Sequence, residues 1–207
     1  MSNAENANNQ NEARENFERW YVKPLQILER IPNGDGAFVA LATSCFLYER
    51  YVVAIIEKSG TESNAGERKK QFMRDFQTNA ETAQAYKDII RDGLLHQGMP
   101  RRKNTKLRWV FHHDFDQPIA LSEPNADGVQ FLKIQPWLFT NKVIGLWYNN
   151  ISLLGESNSF PWAKIFNPIY DIPEDEIRIL GVLPRKPSSD SLATGSSSSL
   201  ADLMKNG

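Results

Sequence analysis

The run Arg91-Asp92-Gly93-Leu94-Leu95-His96 pairs two side chains that can work on a phosphodiester. Arginine presents a planar fork of donors to phosphate and keeps its charge at any physiological pH. Histidine takes up and releases a proton near neutral pH. Held together, Arg91 and His96 could bind a phosphodiester and move the protons that its cleavage requires. Asp92 is a small acid placed to hold or orient the guanidinium.

Spacing alone proves little, because Arg108 also stands five positions before His113. That second pair lies in an expected strand, where positions five apart face opposite sides. The first pair closes an expected helix and is followed by Arg101, Arg102, Lys103, Lys106 and Arg108, a basic cluster in a chain of formal net charge -1. Arg101, Arg102 and Lys103 are the candidate RNA-binding residues. On a regular helix, residues five apart diverge by about 140°. Either Gly93 bends the chain or a second copy completes the site. Glu49 and Arg50 interrupt a strongly apolar stretch. They read as supporting residues, one of them paired with Arg91 or Asp92 or both in ordinary ion pairs at a helix edge.

The elements that must hold these side chains are mostly helical. Residues 1–15 read as a disordered tail and 185–207 as a Ser-rich one, with little to bury in either. From Phe17 to about Gln97 apolar residues recur at helical spacing. Pro24 marks a kink or restart. A turn follows at Pro32–Gly36, with Asp35 as a candidate cap for a helix from about Gly36 to Lys58. Phe72 and Phe76 mark a further helix. Thr78-Asn79-Ala80-Glu81 breaks and recaps it, and Ala83, Tyr86, Ile90 and Leu94 stripe the next. Gly98-Met99-Pro100 ends the helices. Leu107–Phe111, Pro118–Leu121 and Val129–Ile134 read as short strands, with a turn at Asn125–Gly128. Pro136 opens a last long amphipathic helix, and Ile177–Leu183 reads as a final strand. The expected fold is mainly α: an antiparallel helical bundle over 16–184, with a small antiparallel β insertion at about 106–135 before that helix.

Composition narrows the function. The chain has 207 residues, 41% hydrophobic and 24% charged, as in an ordinary soluble domain. A near-neutral balance argues against a broadly basic nucleic-acid surface. The single cysteine, Cys45, reads as a small buried apolar group. No signal-peptide core opens the chain, and the apolar stretch at 37–56 contains charges. It therefore reads as a buried helix, with a cytoplasmic location and no membrane partner. His112, His113, Asp114 and Asp116 crowd one strand end without making a convergent cage, so neither metal nor cofactor is expected. Trp109, Phe111, Phe131, Trp137 and Trp147 could stack bases, but their spacing suits a core.

An Arg, a polar residue, three further residues and a His, late in a helical domain, resemble the motif of HEPN domains. Arg91, Asp92 and His96 occupy those places, and Gly93-Leu94-Leu95-His96 is similar to a common ending of such domains. The resemblance implies a metal-independent endoribonuclease, such as a toxin or phage-defence effector. In that chemistry the ribose 2′-hydroxyl attacks the adjacent phosphate. His96 is then the general acid or base, Arg91 stabilises the phosphorane oxygens, and Asp92 orients one of those two residues. It also implies a homodimer whose two motifs share a cleft, and an antitoxin or nucleotidyltransferase as partner. Other members are non-catalytic interaction or nucleotide-binding modules, which stands as the alternative.

Overall fold

The computed structural model describes residues 3–100 and 106–155, all within one unit, Met1–Ile165. Arg101, Arg102, Lys103, the expected strand Ile177–Leu183 and the Ser-rich tail lie outside the described residues. The chain is mostly helical with one small three-stranded mixed sheet.

The expected N-terminal tail is instead largely helix α1 (Asn3–Phe17). Its end is what docks it. Ala13 and Phe17 are buried, and the Phe17 ring lies 6.1 Å from Trp147 and 6.0 Å from Tyr148. Arg14 pairs with Glu18 at 3.2 Å, one helical turn on. A π-helical turn at Glu18–Val22 then leads into α2 (Lys23–Glu29), with Pro24 in its first turn. Proline lacks an N–H and crowds the turn before it, so the irregularity falls where it is expected.

Helix α3 (Ala37–Lys58) matches the apolar stretch. Asp35 does not cap it. Its N-terminus follows Gly36, where a Cβ would collide with the Leu28 carbonyl, so close approach to α2 sets this residue. By length and composition α3 could cross a membrane, but it serves as a core helix, with Leu41, Cys45 and Tyr48 buried. Helix α4 (Ala65–Phe76) is capped by Asn64, and α5 (Ala80–Ala85) by Asn79, whose side chain accepts from Thr82 N at 2.8 Å. A second π-helical turn, Tyr86–Arg91, continues into α6 (Asp92–Gln97), which Gly98 closes with a φ of 70°. Ala83, Tyr86, Ile90 and Leu94 are all buried, as their stripe predicts.

The strands β1 (Leu107–Phe111), β2 (Ile119–Leu121) and β3 (Gln130–Ile134) match the sequence expectation, but the sheet is not antiparallel throughout. Its order is β1-β3-β2: β3 pairs parallel with β1 and antiparallel with β2. Strand direction still alternates along the chain; only the neighbour differs. The central place goes to the strand with most to bury, since Leu132 and Ile134 are fully enclosed, whereas β1 alternates half-buried and exposed positions as an edge. The Asn125 side chain builds the expected turn by accepting from the N–H groups of Asp127 and Val129.

Helix α7 (Pro136–Asn149) packs along α3. Ser44 and Thr140 hydrogen-bond across the contact at 2.9 Å, and the Trp147 indole donates to the Leu47 carbonyl at 3.2 Å. Both bonds are buried, which removes the cost of burying those polar groups unpaired. Trp147 is therefore a core residue; Trp109, Phe111, Phe131 and Trp137 are half-buried.

Candidate functional site

Glu49 is a carboxylate on an otherwise apolar helix, and its side chain is only 17% exposed. A charge in that position needs a partner. Arg91 supplies a bidentate one: Nε lies 2.9 Å from Glu49 Oε1, and Nη2 lies 3.0 Å from Oε2. Nη1 of Arg91 donates to Asp92 Oδ1 at 2.6 Å. The network extends both ways. Arg68 Nη1 stands 3.5 Å from Glu49 Oε2, and Lys87 Nζ stands 3.2 Å from Asp92 Oδ2. Charges therefore alternate along Arg68, Glu49, Arg91, Asp92 and Lys87.

The π-helical turn aims this end of the network. A π turn holds more residues than an α turn, and Lys87 and Arg91 both reach one cavity while Ile89 and Ile90 stay in the core. The electrostatics follow the contacts. The hydrogen bond to Glu49 raises the Arg91 pKa above its ordinary value, against the opposing effect of burial. Burial alone would raise the Asp92 carboxyl, but hydrogen bonds from Arg91 and Lys87 outweigh it and hold the carboxyl below the usual range.

The cavity measures about 290 Å³ and opens between α3, α4 and the run from α5 through the π turn. Arg68, Lys69, Lys87 and Arg91 line it against one lining carboxylate, Glu49. Tyr48, Val52, Phe72, Ala83 and Tyr86 form its apolar wall. The Tyr86 hydroxyl is buried without a hydrogen-bond partner among the described residues. The Cys45 thiol is coupled to it, although the geometry falls short of a hydrogen bond, and a thiol is a weak partner in any case. Burial pushes that thiol up to about 12, with Tyr86 pulling it back and the Glu49 charge adding to the rise.

Of the residues singled out from sequence, the fold brings together Arg91, Asp92 and Glu49. His96 is not with them. It is exposed near the end of α6 and makes no hydrogen bond or ion pair among the described residues. Gly93 stays buried inside α6 and makes no bend. Arg50 is exposed and does not line the cavity. In the second Arg–His pair, Arg108 is exposed on β1 and His113 is exposed in the loop after it. Arg68, Lys69 and Lys87 were not legible as site residues. The available signals were a basic run early in α4 and a lysine four positions before Arg91, and neither says what lies opposite. Among the described residues no three His, Cys, Asp or Glu side chains gather as metal ligands. No family model, no curated protein and no solved structure matches this chain.

Proposed function

We propose that the chain is a HEPN-like, metal-independent endoribonuclease with Arg91 as its phosphate-binding residue. The observation that carries the reading is the arrangement around Arg91. Glu49 and Asp92 occupy three of its five N–H groups and fix its plane. Two N–H groups are left to meet the equatorial oxygens of a phosphorane, pre-set in direction as electrostatic catalysis requires. In the reaction, the 2′-oxygen bonds to phosphorus and gives up its proton. The bond to the 5′-oxygen breaks, and that oxygen takes a proton. The products are a 2′,3′-cyclic phosphate and a 5′-hydroxyl. His96 moves the protons.

Arg91 and His96 do not converge within one chain, so the reading takes the active species to be a homodimer in which each His96 serves the partner's Arg91 site. It also takes the helices to form an antiparallel bundle, the location to be cytoplasmic and the role to be that of a toxin or defence effector, with an antitoxin or nucleotidyltransferase as partner. Arg101, Arg102 and Lys103 then guide the strand. The test is incubation of purified protein with RNA in EDTA, followed by end-group analysis. Cyclic phosphate ends, lost in Arg91→Ala and in His96→Ala, are the expected result. Cleavage that requires a divalent metal, or that survives both substitutions, would sink the mechanism.

One observation favours a second reading. The Arg91 charge is already answered by two carboxylates, as in a structural ion pair. A folded chain that cuts no RNA is then a non-catalytic interaction module of the same architecture.

A further inference from the structure

We propose that the cavity beside Arg91 is a binding site for one nucleotide unit, a heteroaromatic ring joined to a phosphate. The proposal rests on the RNA-directed reading only for the source of that unit, which is either a nucleotide of an RNA strand or a free nucleoside monophosphate.

Charge identifies the phosphate half. Two cations come from α4, Arg68 and Lys69, and two from the π-helical turn, Lys87 and Arg91. Internal carboxylates do not answer them equally. Lys69 hydrogen-bonds only the neutral Gln84, at 3.2 Å. Arg68 reaches Glu49 only at 3.5 Å and otherwise holds the hydroxyl and carbonyl of Ser63. Counting the carboxylates at the rim, Asp88 and Asp92, together with Glu49, four cations face three anions. An arriving phosphate therefore finds donors in surplus from two sides, with Arg as a planar fork and Lys as a point charge.

The opposite wall identifies the ring. Phe72 and Tyr86 stack at 4.2 Å with 15° between their planes, and Tyr48 stands edge-on to both. This is a rigid, flat-sided apolar wall that needs little reordering to receive a planar group. The buried Tyr86 hydroxyl lacks a partner there. A ring nitrogen or carbonyl oxygen would accept from it, whereas a phosphorylated alkyl chain would leave it as it is. Size sets the limit. About 290 Å³ lies at the small end of the roughly 300–1,000 Å³ typical of ligand pockets. One nucleotide fits that space and a stack of several does not.

The experiment is titration calorimetry of the full chain with AMP, GMP, CMP and UMP, and with inorganic phosphate. At least one nucleotide should bind ~10-fold or more tighter than phosphate. Lys69→Glu should weaken that nucleotide ~10-fold or more, while Lys70→Glu, the same charge change one residue away and off the cavity, should not. Tyr86→Phe should weaken the nucleotide a few-fold and leave phosphate unchanged. Circular dichroism of each variant checks the fold. Phosphate binding as tightly as every nucleotide, an indifferent Lys69→Glu, or no binding at millimolar nucleotide would each overturn the proposal. A short oligoribonucleotide run in parallel separates the sources: Lys69-dependent binding of the strand places the unit in RNA, and binding of mononucleotides alone makes it a free ligand. Nucleotide binding without RNA cleavage leaves the cavity assigned and removes the ribonuclease. RNA cleavage that Lys69→Glu leaves untouched, without nucleotide binding, does the reverse.

Discussion

At one end of the Arg91–His96 run the side chain is held by two carboxylates; at the other it stands in solvent. Both residues belong to one short motif, and a helical turn and a half separates them. The fold spends structure on Arg91: a carboxylate from α3, its own neighbour Asp92 and a π-helical turn all fix its direction. It spends none on His96, which is exposed with no hydrogen bond among the described residues. A site made within one chain would pre-organise both ends. Fixing only one suits a site completed by another molecule, or a single structural ion pair.

The largest effect that separates those readings comes from mixing. Arg91→Ala and His96→Ala should each lose ~10²-fold or more of RNA cleavage. If His96 serves the partner's Arg91, co-refolding the two inactive variants in equal amounts restores one intact site in every mixed dimer. Activity should then recover to about a quarter of wild type for random symmetric pairing. Recovery near zero would break the two-chain site.

Stability should divide the motif in the same way. Glu49→Ala strips Arg91 of its bidentate partner in a mostly buried setting. It should cost about 2 kcal/mol in urea denaturation, between the ~0–1 of an exposed pair and the ~3–5 of a fully buried one. His96→Ala should stay within ~0.5 kcal/mol. Equal losses at the two positions would mean that His96 has a structural role not visible in its contacts.

Acid gives a smaller and directional effect. The folded Asp92 carboxyl titrates below its unfolded value of roughly 3.9. Its contribution to stability is therefore fully present above that pH and is lost as pH falls through the folded value. Asp92→Asn should lower the urea midpoint near neutrality, and the gap to wild type should close on acidification below about pH 4. A gap that stays constant down to the lowest pH would show that the ion pairs around Asp92 contribute nothing.

The smallest effect is expected from the second Arg–His pair. His113→Ala should leave cleavage unchanged and stability within ~0.5 kcal/mol, since the recorded bond at that residue is made by its carbonyl, which accepts from Gln135. A loss of cleavage there would return the motif question to its start.

What was legible in the sequence is what local physics writes there. The apolar face of α3, the Asn79 cap, the Gly98 stop and the Asn125 turn each follow from a few adjacent residues. Helix α1 was not legible, because its anchor is Phe17 meeting Trp147 across the fold rather than anything in its Asn-rich body. The place of β3 between β1 and β2 was likewise set by which strand buries most, a property of the assembled sheet. In the site, Glu49 could be named because a carboxylate in an apolar helix needs a partner. Arg68 and Lys69 could not, since a basic run on an amphipathic helix is ordinarily a solvated face, and only the packing of α4 over the π turn gives it a cavity to line.

The π turn at Tyr86–Arg91 has a consequence for how this chain can tolerate length changes. It holds surplus length relative to an α-helix, like a single-residue insertion that the helix has absorbed without breaking. Deleting one residue within 86–90 would let the helix close into regular form, and everything after it would swing by about 100°. Arg91 would turn away from Glu49 while α6 kept its own shape. Substitutions along this stretch can therefore be mild where a one-residue deletion is severe, and the reading frame of the helix, more than any one side chain in it, holds the cluster together.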